Sequence, residues 1–312
     1  MTTAIFTHPD CKRHDMGDWH PECPARLQAI EDQLIASGIA NLLEQREAPR
    51  ASVEDLQLVH SAAAIALVRD HIPAHGEYYP LDADTRLNEY SWEAALHAAG
   101  AAIAATDAVM RGEVDNAFCA IRPPGHHATP DAPMGFCLFN NVAIAATHAM
   151  QVCGLRRIAI VDFDVHHGNG TEDAFAHDER VLMVSFFQHP LYPYSGVHPT
   201  GTGPAHMVNV PVPAYTRGDA IRELVRHRWL PALHAHQPEM IFISAGFDAH
   251  REDDIATMGL VEADFAWITR QLVEIARLYA NGRIVSCLEG GYALSALGRC
   301  VVAHLKALAK LD

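Results

Sequence analysis

The sequence predicts an α/β fold in which helices flank a single doubly wound parallel sheet, and three observations support this class. Short apolar runs recur along the chain between longer amphipathic or alanine-rich stretches, as in repeated strand–helix units. The later runs, at residues 158–161 and 240–243, are continuously apolar, which is typical of strands buried on both faces. No linker, repeat or low-complexity segment divides the 312 residues, so we expect one domain over residues 1–312.

These patterns place seven strands and seven helices along the chain. The predicted strands lie at residues 4–6, 117–121, 157–162, 181–186, 207–210, 240–244 and 283–288. The predicted helices lie at residues 25–36, 52–69, 92–111, 141–152, 219–235, 262–280 and 294–311. Ser52 and Asp55 have the spacing of a capping box, in which each side chain bonds the other residue's backbone N–H. We therefore expect the second helix to begin just after Ser52.

Composition narrows the classes of partner. The chain has 38 acidic and 23 basic residues, which gives a formal net charge of −15. This balance argues against nucleic acid, whose binders carry basic patches, and it suits a cationic substrate or protein partner. No run approaches the ~18 apolar residues of a membrane span, and residues 1–10 lack a signal-peptide pattern, so we expect no membrane partner. The seven scattered cysteines form no CxxC pair, which is typical of reduced cysteines in a cytoplasmic protein.

Ionisable side chains follow four of the predicted strands. The carboxyl ends of parallel strands meet at one edge of a sheet, and ligands bind there in doubly wound folds. The four segments are residues 122–127 (RPPGHH), 162–168 (DFDVHHG), 245–248 (AGFD) and 289–292 (EGGY). The sequence therefore predicts a functional site at this edge.

A metal site is predicted from the second and third segments. Asp162, Asp164 and His166 alternate, so an extended chain directs all three to the same side. Carboxylates at the end of a buried strand need a partner or a cation. Together with Asp248, the pair Asp164 and His166 would supply one nitrogen and two oxygens, which is the open ligand set of a catalytic zinc. An Asp–His network that holds a turn is the alternative, and the convergence of several motifs favours the metal.

Proton transfer is predicted at a histidine pair. His126 and His127 follow a rigid Pro-Pro-Gly turn, and an imidazole pKa near ~6.5 suits general acid–base work. The chain contains 21 histidines, so only this pairing distinguishes the two. Tyr292 follows two glycines and could donate a hydrogen bond to a developing oxyanion. The sequence has no HExxH, P-loop or GxSxG motif, and residues 168–170 lack the third glycine of a dinucleotide fingerprint.

Six motifs in order resemble the zinc-dependent histone deacetylase superfamily, which has the arginase/deacetylase fold. They are HPECPARL (20–27), RPPGHHA (122–128), GFCLFNN (135–141), DFDVHHGNGTED (162–173), AGFDAH (245–250) and EGGY (289–292). The HPECP loop, Asn169 in place of an aspartate, and Glu289 are similar to class II members such as bacterial histone deacetylase-like amidohydrolases. The resemblance spans nearly the whole chain and implies a zinc-dependent deacetylase.

The resemblance also implies a role for each matched residue. One zinc ion would be held by Asp164, His166 and Asp248. The implied catalytic residues are His127 as general base and acid, His126 oriented by Asp162, Asn169 as the partner of His127, and Tyr292 on the scissile carbonyl. The implied substrate contacts are the Gly135 carbonyl for the amide N–H, and Phe136 and Tyr192 as the walls of an acyl-lysine tunnel. The implied potassium ligands are Asp162, Asp164, His166, Ser185 and Phe186 at one site, and Phe175, Asp178 and Val181 at a second.

The substrate class stays open between acyl-lysine in proteins or peptides and acetylated polyamines. Polyamine-specific members of the family carry a glutamate a few residues beyond the zinc-binding aspartate, where this chain has Ile255. Glu22 and residues 252–254 are the alternative candidates for an acidic rim that would bind a polycation. We expect the acyl-lysine substrate.

Two other functions fit the sequence less well. An arginase-like dimanganese hydrolase would need more carboxylates to bridge two metals. A non-catalytic acyl-lysine reader would lack a metal ligand, the histidine pair or the tyrosine, and all of these are present. The resemblance is compatible with a homodimer or tetramer.

Overall fold

Eight parallel strands form the central sheet of the computed structural model, which describes residues 2–198 and 203–311. With a short antiparallel hairpin included, the strands in chain order are β1 (Thr3–Thr7), β2 (Glu44–Glu47), β3 (Tyr79–Pro80), β4 (Arg86–Leu87), β5 (Asn116–Cys119), β6 (Ile158–Asp162), β7 (Val181–Gln188), β8 (Met207–Val212), β9 (Met240–Ala245) and β10 (Ile284–Leu288). The order in the sheet is β2-β1-β5-β10-β9-β6-β7-β8, and every neighbouring pair is parallel. The predicted α/β class is confirmed.

Helices lie between the strands along the chain. In the described residues the α-helices are α1 (Ala25–Ala36), α2 (Val53–Leu56), α3 (Ala62–Arg69), α4 (Ser91–Met110), α5 (Asn141–Gln151), α6 (Asn169–Phe175), α7 (Gly218–Leu224), α8 (Leu230–His236), α9 (Glu262–Tyr279) and α10 (Leu294–Ala309). A π-helical turn, Val225–Trp229, joins α7 to α8. None of the helices in residues 2–198 and 203–311 is both long and apolar enough to cross a bilayer.

The buried strands are the ones that the sequence marks as continuously apolar. Every residue of β5, β6, β7, β9 and β10 is buried. Phe163 and Phe247, which follow β6 and β9, pack with Phe265 of α9 at ring-centre distances of 5.3–5.8 Å. This aromatic cluster fixes the two loops from beneath, because rings in such contact pack with defined geometry.

Strand order explains why the polar motifs meet. The four strands that precede them, β5, β10, β9 and β6, are consecutive neighbours in the sheet. Asp162, the last residue of β6, is in register with Ser244 of β9 on one side and Ser185 of β7 on the other. The loops after these strands therefore emerge side by side at the centre of the carboxyl edge.

Four local predictions differ from the structure. The helix predicted at residues 52–69 is two helices, because Ser61 caps α3 through the Ala64 N–H and His60 is held by two other loops, at Thr129 and Asn140. The Ser52–Asp55 capping box is confirmed. The edge strand β2, the hairpin β3–β4 and helix α6 were not predicted, since the first is polar and the others are too short for a periodic signal.

Candidate active site

The loop after β6 is shaped by its own aspartates. The Asp164 N–H donates to Asp162 Oδ1 at 3.1 Å, and the His166 N–H donates to Asp164 Oδ1 at 2.8 Å. The loop after β9 is joined to it where the Val165 N–H donates to Asp248 Oδ1 at 2.8 Å. These bonds turn alternate side chains inward, as the spacing predicted, and bring Asp248 to them.

Asp164, His166 and Asp248 form a compact group of buried ligand atoms, all within 4.8 Å of one another. His166 Nδ1 lies 3.0 Å from Asp164 Oδ1 and 3.2 Å from Asp248 Oδ2. Only the first of these contacts has hydrogen-bond geometry, and Asp248 Oδ2 has no hydrogen-bond partner within the part of the chain that the structure describes. One imidazole nitrogen, two carboxylates and an unpaired buried oxygen suit a divalent cation such as zinc.

Two glycines leave room beside these ligands. A Cβ atom on Gly246 would overlap the Asp164 side chain, and one on Gly290 would overlap those of Asp248 and Asp164. The Gly290 N–H also donates to Asp164 Oδ2 at 2.9 Å. Glycine is therefore required at both positions for the carboxylates to approach the backbone so closely.

The pKa values of this group are shifted by burial and by the contacts among its own members. Burial, reinforced by the nearby Asp164 carboxylate, raises the pKa of Asp248 to about 7. Burial opposes the charge on His166, but its contacts with Asp164 and Asp248 outweigh burial and raise its pKa to about 10. Without a cation His166 and, in part, Asp248 thus carry protons at neutral pH, which a bound metal would replace.

The histidine pair consists of one charged and one neutral ring. Burial disfavours the charge on His126, but the Asp164 and Asp162 carboxylates outweigh burial and hold the pKa of His126 well above 6.5. Burial and the charges on His126 and His166 hold the pKa of His127 well below that value. His126 Nδ1 donates to Asp162 Oδ2 at 3.0 Å, and the two rings lie 4.0 Å apart.

The tautomer of His127 follows from its partner. His127 Nδ1 lies 2.8 Å from Asn169 Oδ1, while Asn169 Nδ2 donates to the His127 carbonyl. Because the amide oxygen only accepts, Nδ1 carries the proton and Nε2 is left with a lone pair. A neutral imidazole with a free Nε2 is the form that accepts a proton from water.

Glu289 fixes the turn that presents the pair. Its Oε2 accepts the Gly125 N–H at 2.6 Å and the His126 N–H at 3.1 Å. Burial raises the pKa of Glu289 to about 7 in spite of these bonds and of His126. The EGGY segment therefore has two roles: its first residue, Glu289, holds the histidine turn, and its last residue, Tyr292, lies in the site.

Tyr292 is held by its backbone and its ring. Its N–H and that of Ala293 donate to Asp253 Oδ2 at 2.6 and 2.9 Å, and the Arg26 guanidinium lies 4.9 Å from the centre of its ring. Burial raises the pKa of the Tyr292 phenol well above 10 although Arg26 opposes this, so the hydroxyl keeps its proton. The sequence did not mark Asp253 and Arg26 as supports of Tyr292, since neither stands in a motif with a known acid–base pattern.

A cavity of about 260 Å³ leads to these groups. Its lining includes all the predicted tunnel residues together with the histidine pair, namely Gly135, Phe136, Tyr192, His126, His127, His166 and Tyr292. It also includes Asp84, Leu191 and Ile255, of which only Ile255 was singled out from the sequence.

The walls of the cavity are set by an unusual backbone. Gly135 and Phe136 have φ values of 57° and 67°, in the left-handed region. A Cβ on Gly135 would lie 2.6 Å from the His127 ring and 3.0 Å from Tyr192, so only glycine fits beside them. The Phe136 N–H donates to Thr85 Oγ1 at 3.1 Å, and its ring meets that of Tyr292 edge-on at 5.9 Å.

The prediction that Glu22 lies on an acidic rim is wrong. Glu22 is 0% exposed, and it binds Arg122 through both carboxylate oxygens and Arg26 at 3.1 Å. Burial would raise its pKa, but the two guanidinium groups outweigh burial and lower it to about 2. Within the segment 252–254, Asp253 is also buried and Glu252 pairs with Arg299 at 2.8 Å.

The residues implied for potassium lie in two places. Ser185 and Phe186 of β7 lie beside the end of β6, with Ser185 Oγ donating to Asn209 and the Ser185 carbonyl accepting from Trp229 Nε1. In the second group, the Asp178 N–H donates to the Phe175 carbonyl at 2.9 Å, and the Val181 N–H donates to that of Asp178 at 3.0 Å. Potassium at either place stays a prediction.

An eight-stranded doubly wound sheet with a convergent Asp–His pocket at its carboxyl edge defines a hydrolase of the deacetylase type. The model of the histone deacetylase domain matches residues 20–308, and the chain belongs to that family.

Relatives and a solved structure agree with this assignment. The chain is 38% identical over 299 residues to a probable deacetylase of Archaeoglobus fulgidus, covering 94% of this chain and 82% of the relative. It is 38% identical over 293 residues to the histone deacetylase-like amidohydrolase of Pseudomonas aeruginosa, covering 93% and 77%. The solved HDA15 HD domain superposes with a TM-score of 0.92 at 33% identity, covering 99% of this chain and 88% of that one.

Proposed function

We propose that this chain is a zinc-dependent amidohydrolase that removes acetyl or other short acyl groups from the ε-amine of lysine in proteins or peptides. The proposal rests on the arrangement of side chains at the floor of the cavity. There a three-ligand set with an unpaired Asp248 oxygen lies beside a neutral His127 and a protonated Tyr292. Amide hydrolysis needs these three functions together: an electrophile, a base and a hydrogen-bond donor to the oxyanion.

Asp164, His166 and Asp248 would hold the zinc ion. Zinc in such a site polarises a carbonyl and lowers the pKa of water. The unpaired Asp248 oxygen and the excess of buried carboxylate support this assignment.

His127 takes the proton from the attacking water and later returns it to the leaving amine. Its Nε2 is free because Asn169 holds the proton on Nδ1. His126 stays charged between Asp162 and Asp164, and its positive charge keeps the pKa of His127 low. A base with a low pKa is unprotonated at neutral pH, so it is ready before substrate arrives.

Tyr292 donates its O–H to the developing oxyanion, and the tunnel walls position the acyl chain. Phe136 and Tyr192 would enclose the lysine methylenes, with the Gly135 carbonyl accepting the amide N–H. The left-handed backbone of Phe136 supports a binding role, since such conformations of non-glycine residues cluster at functional sites.

The acyl-lysine reading is supported by the residues around the cavity. Ile255 places an apolar side chain where a polycation would need a carboxylate, and Glu22 is buried beneath the site. One observation favours the acetylpolyamine alternative, because the Asp84 side chain lines the same cavity. A single carboxylate would bind the one ammonium group of N-acetylputrescine, whereas longer acetylated polyamines carry more.

We further propose potassium at the two groups of residues described above, supported by the match of these residues to the potassium ligands of the family. A reducing compartment such as the cytoplasm is supported by seven free cysteines in the described chain. The continuous sheet supports one catalytic domain. The net charge of −15 supports substrates other than nucleic acid.

The experiment compares kcat/KM of the zinc-loaded protein on an acetyl-lysine peptide and on N-acetylputrescine, with chelator controls. We expect a clear preference for the peptide that chelator abolishes. A preference for N-acetylputrescine would replace the lysine substrate by the polyamine, with Asp84→Asn as the variant that should then raise KM. Activity on neither substrate would contradict the proposed reaction.

A further inference from the structure

We propose that Glu172 is a positioning residue for substrate binding, which acts by holding the loop that carries Tyr192 in place beside the tunnel. This inference rests on the proposed function, in which Tyr192 encloses the acyl-lysine chain. Glu172 lies in α6, one helical turn after Asn169, the partner of His127. It lines a second cavity rather than the tunnel, so its effect on substrate would be indirect.

The loop at residues 191–198, called the Tyr192 loop below, separates the tunnel from this second cavity. One set of its residues lines the tunnel, namely Leu191, Tyr192 and Tyr194. The other set lines the neighbouring cavity of about 450 Å³, namely Pro193, Ser195, Gly196 and His198. The Tyr192 loop therefore has open space behind it, and contacts on that side are needed to keep Tyr192 in the tunnel wall.

Glu172 supplies such contacts through both of its oxygens. His198 Nε2, at the end of the loop, donates to Glu172 Oε1 at 2.6 Å, and His167 Nε2 lies 2.6 Å from Glu172 Oε2. Burial would raise the pKa of Glu172, but its contacts with His167 and His198 outweigh burial and lower it, so the carboxylate is charged at neutral pH. Because an ionised carboxylate only accepts, the Nε2 atom of each ring carries a proton.

His167 connects Glu172 to the middle of the loop. With the proton on Nε2, the neutral His167 ring has a lone pair on Nδ1, which accepts the Ser195 O–H at 2.9 Å. Gly196 packs on the same ring so closely that a Cβ atom there would lie 2.5 Å from it. The other side of the contact is fixed by the sheet, because the His167 ring also lies 4.9 Å from that of Phe187 in β7. The loop backbone therefore rests on a ring that Glu172 and Phe187 hold.

The position of Tyr192 matters because two other groups of the site touch it. Its ring meets the His127 ring edge-on at 5.2 Å, and a Cβ atom on Gly135 would lie 3.0 Å from it. A shift of the loop toward the second cavity would widen the tunnel there, and the lysine methylenes would lose an apolar wall. Asn169 would stay in α6, so His127 would keep its tautomer and its role as base.

The test is a double-mutant cycle on kcat and KM for the acetyl-lysine peptide. Glu172→Ala should raise KM by about 10-fold and change kcat by less than about 3-fold, because substrate binding weakens while the base is kept. In a Tyr192→Ala background the same change should have no further effect, since its route to the substrate is gone. Asp173→Asn, at the exposed next residue of α6, is the matched control and should behave as wild type.

The conservative variant Glu172→Gln gives a second readout. The glutamine oxygen accepts from His198, and its amide N–H can donate to His167 Nε2 once the His167 proton moves to Nδ1, where Ser195 Oγ accepts it. We therefore expect the KM of Glu172→Gln to lie within about 3-fold of wild type.

Hydrogen exchange reports on the loop without any turnover. The backbone amides of residues 191–198 should exchange faster in Glu172→Ala, because local opening becomes easier when its contacts are lost. Those of β6 and β9 should keep their wild-type rates.

Several results would overturn the proposal. They are a wild-type KM in Glu172→Ala, an undiminished effect of that change in the Tyr192→Ala background, an equal effect in Asp173→Asn, a KM in Glu172→Gln as high as in Glu172→Ala, and unchanged exchange at residues 191–198. Absence of turnover in wild type would instead refute the proposed function, while the exchange rates would still decide whether Glu172 holds the loop.

Discussion

Two buried carboxylates at the same edge of the sheet behave in opposite ways. Glu22 is 0% exposed and Asp248 is 1% exposed, yet the pKa of Glu22 is lowered to about 2 and that of Asp248 is raised to about 7. Glu22 has Arg122 and Arg26 against its oxygens. Asp248 shares one imidazole with Asp164 and leaves one oxygen without a hydrogen bond among the described residues.

We call the group of Glu22, Arg122 and Arg26 the finished cluster, because the protein itself pairs its carboxylate. We call the group of Asp164, His166 and Asp248 the unfinished cluster, because one of its carboxylate oxygens has no partner among the described residues. Around Glu22 two guanidinium groups compensate the carboxylate, and both of its oxygens are paired. Around Asp248 the balance needs a positive charge that the chain does not supply, which is the condition for a metal site. Burial of an acid alone therefore does not identify a functional residue; at Asp248 the identification also needs the unpaired oxygen and the two further ligand residues beside it.

The largest expected effect comes from removing a charge at the unfinished cluster. Asp248→Asn keeps the shape and the acceptor for the Val165 N–H but loses the anionic ligand. We expect kcat/KM to fall by more than the ~10²–10⁴-fold that loss of a general acid–base group costs. The unfolding free energy of the metal-free protein should change little, and a large loss of stability without loss of zinc would contradict the comparison.

The same change at the finished cluster should act on folding instead. Glu22→Gln leaves Arg122 and Arg26 buried without their counter-charge, which costs about 3–5 kcal/mol of unfolding free energy. Glu93→Gln, at a carboxylate that is 44% exposed and pairs with Arg50, is the control and should cost less than ~1 kcal/mol. Urea unfolding measures the unfolding free energy of both variants, and an equal loss in the two would contradict the distinction between the clusters.

The two clusters meet at Tyr292, which the Glu22 network supports through Arg26. Tyr292→Phe keeps the ring over the guanidinium and the backbone bonds to Asp253 but removes the hydroxyl. We expect kcat to fall by ~10²–10³-fold, as for loss of one oxyanion donor, with zinc binding and stability preserved. Wild-type kcat in this variant would contradict the oxyanion role.

The smallest effect concerns acid stability at the finished cluster. Burial lowers the pKa of His14 to about 3 although Glu22 lies 3.7 Å away. As the pH falls below ~6.5 the unfolded chain gains a proton there and the folded chain does not, so stability decreases.

His14 thereby lowers the free energy of unfolding by about 2 kcal/mol between pH 7 and pH 5. Urea unfolding of wild type and His14→Gln at both pH values measures it, and the decline should be smaller in the variant by about this amount. An identical decline in both proteins would refute the assignment.

The parts of the molecule that the sequence predicted are those with a periodic or spaced signal. The buried strands follow from apolar runs, and the convergence of Asp164, His166 and Asp248 follows from the alternation of residues just after β6 and from the position of Asp248 after β9. The break before Ser61 and the strand β2 could not be predicted, because tertiary contacts of His60 decide the first and pairing at a polar edge decides the second.

Glu22 illustrates the limit at the site itself. The sequence shows an acid in a motif loop, and a rim position and a buried position fit that loop equally well. Arg122 lies 100 residues further along the chain, so only the fold reveals that it neutralises Glu22. Asp253 was missed as a support of Tyr292 for the same reason, since the two lie 39 residues apart.

The most direct test of the unfinished cluster is metal reconstitution. Protein stripped by chelator would be titrated with zinc while bound metal and turnover of an acetyl-lysine peptide are measured together. We expect no turnover in stripped protein and full recovery with the first bound equivalent in wild type, but none in Asp248→Asn. Turnover that survives stripping, or that returns equally in Asp248→Asn, would contradict it.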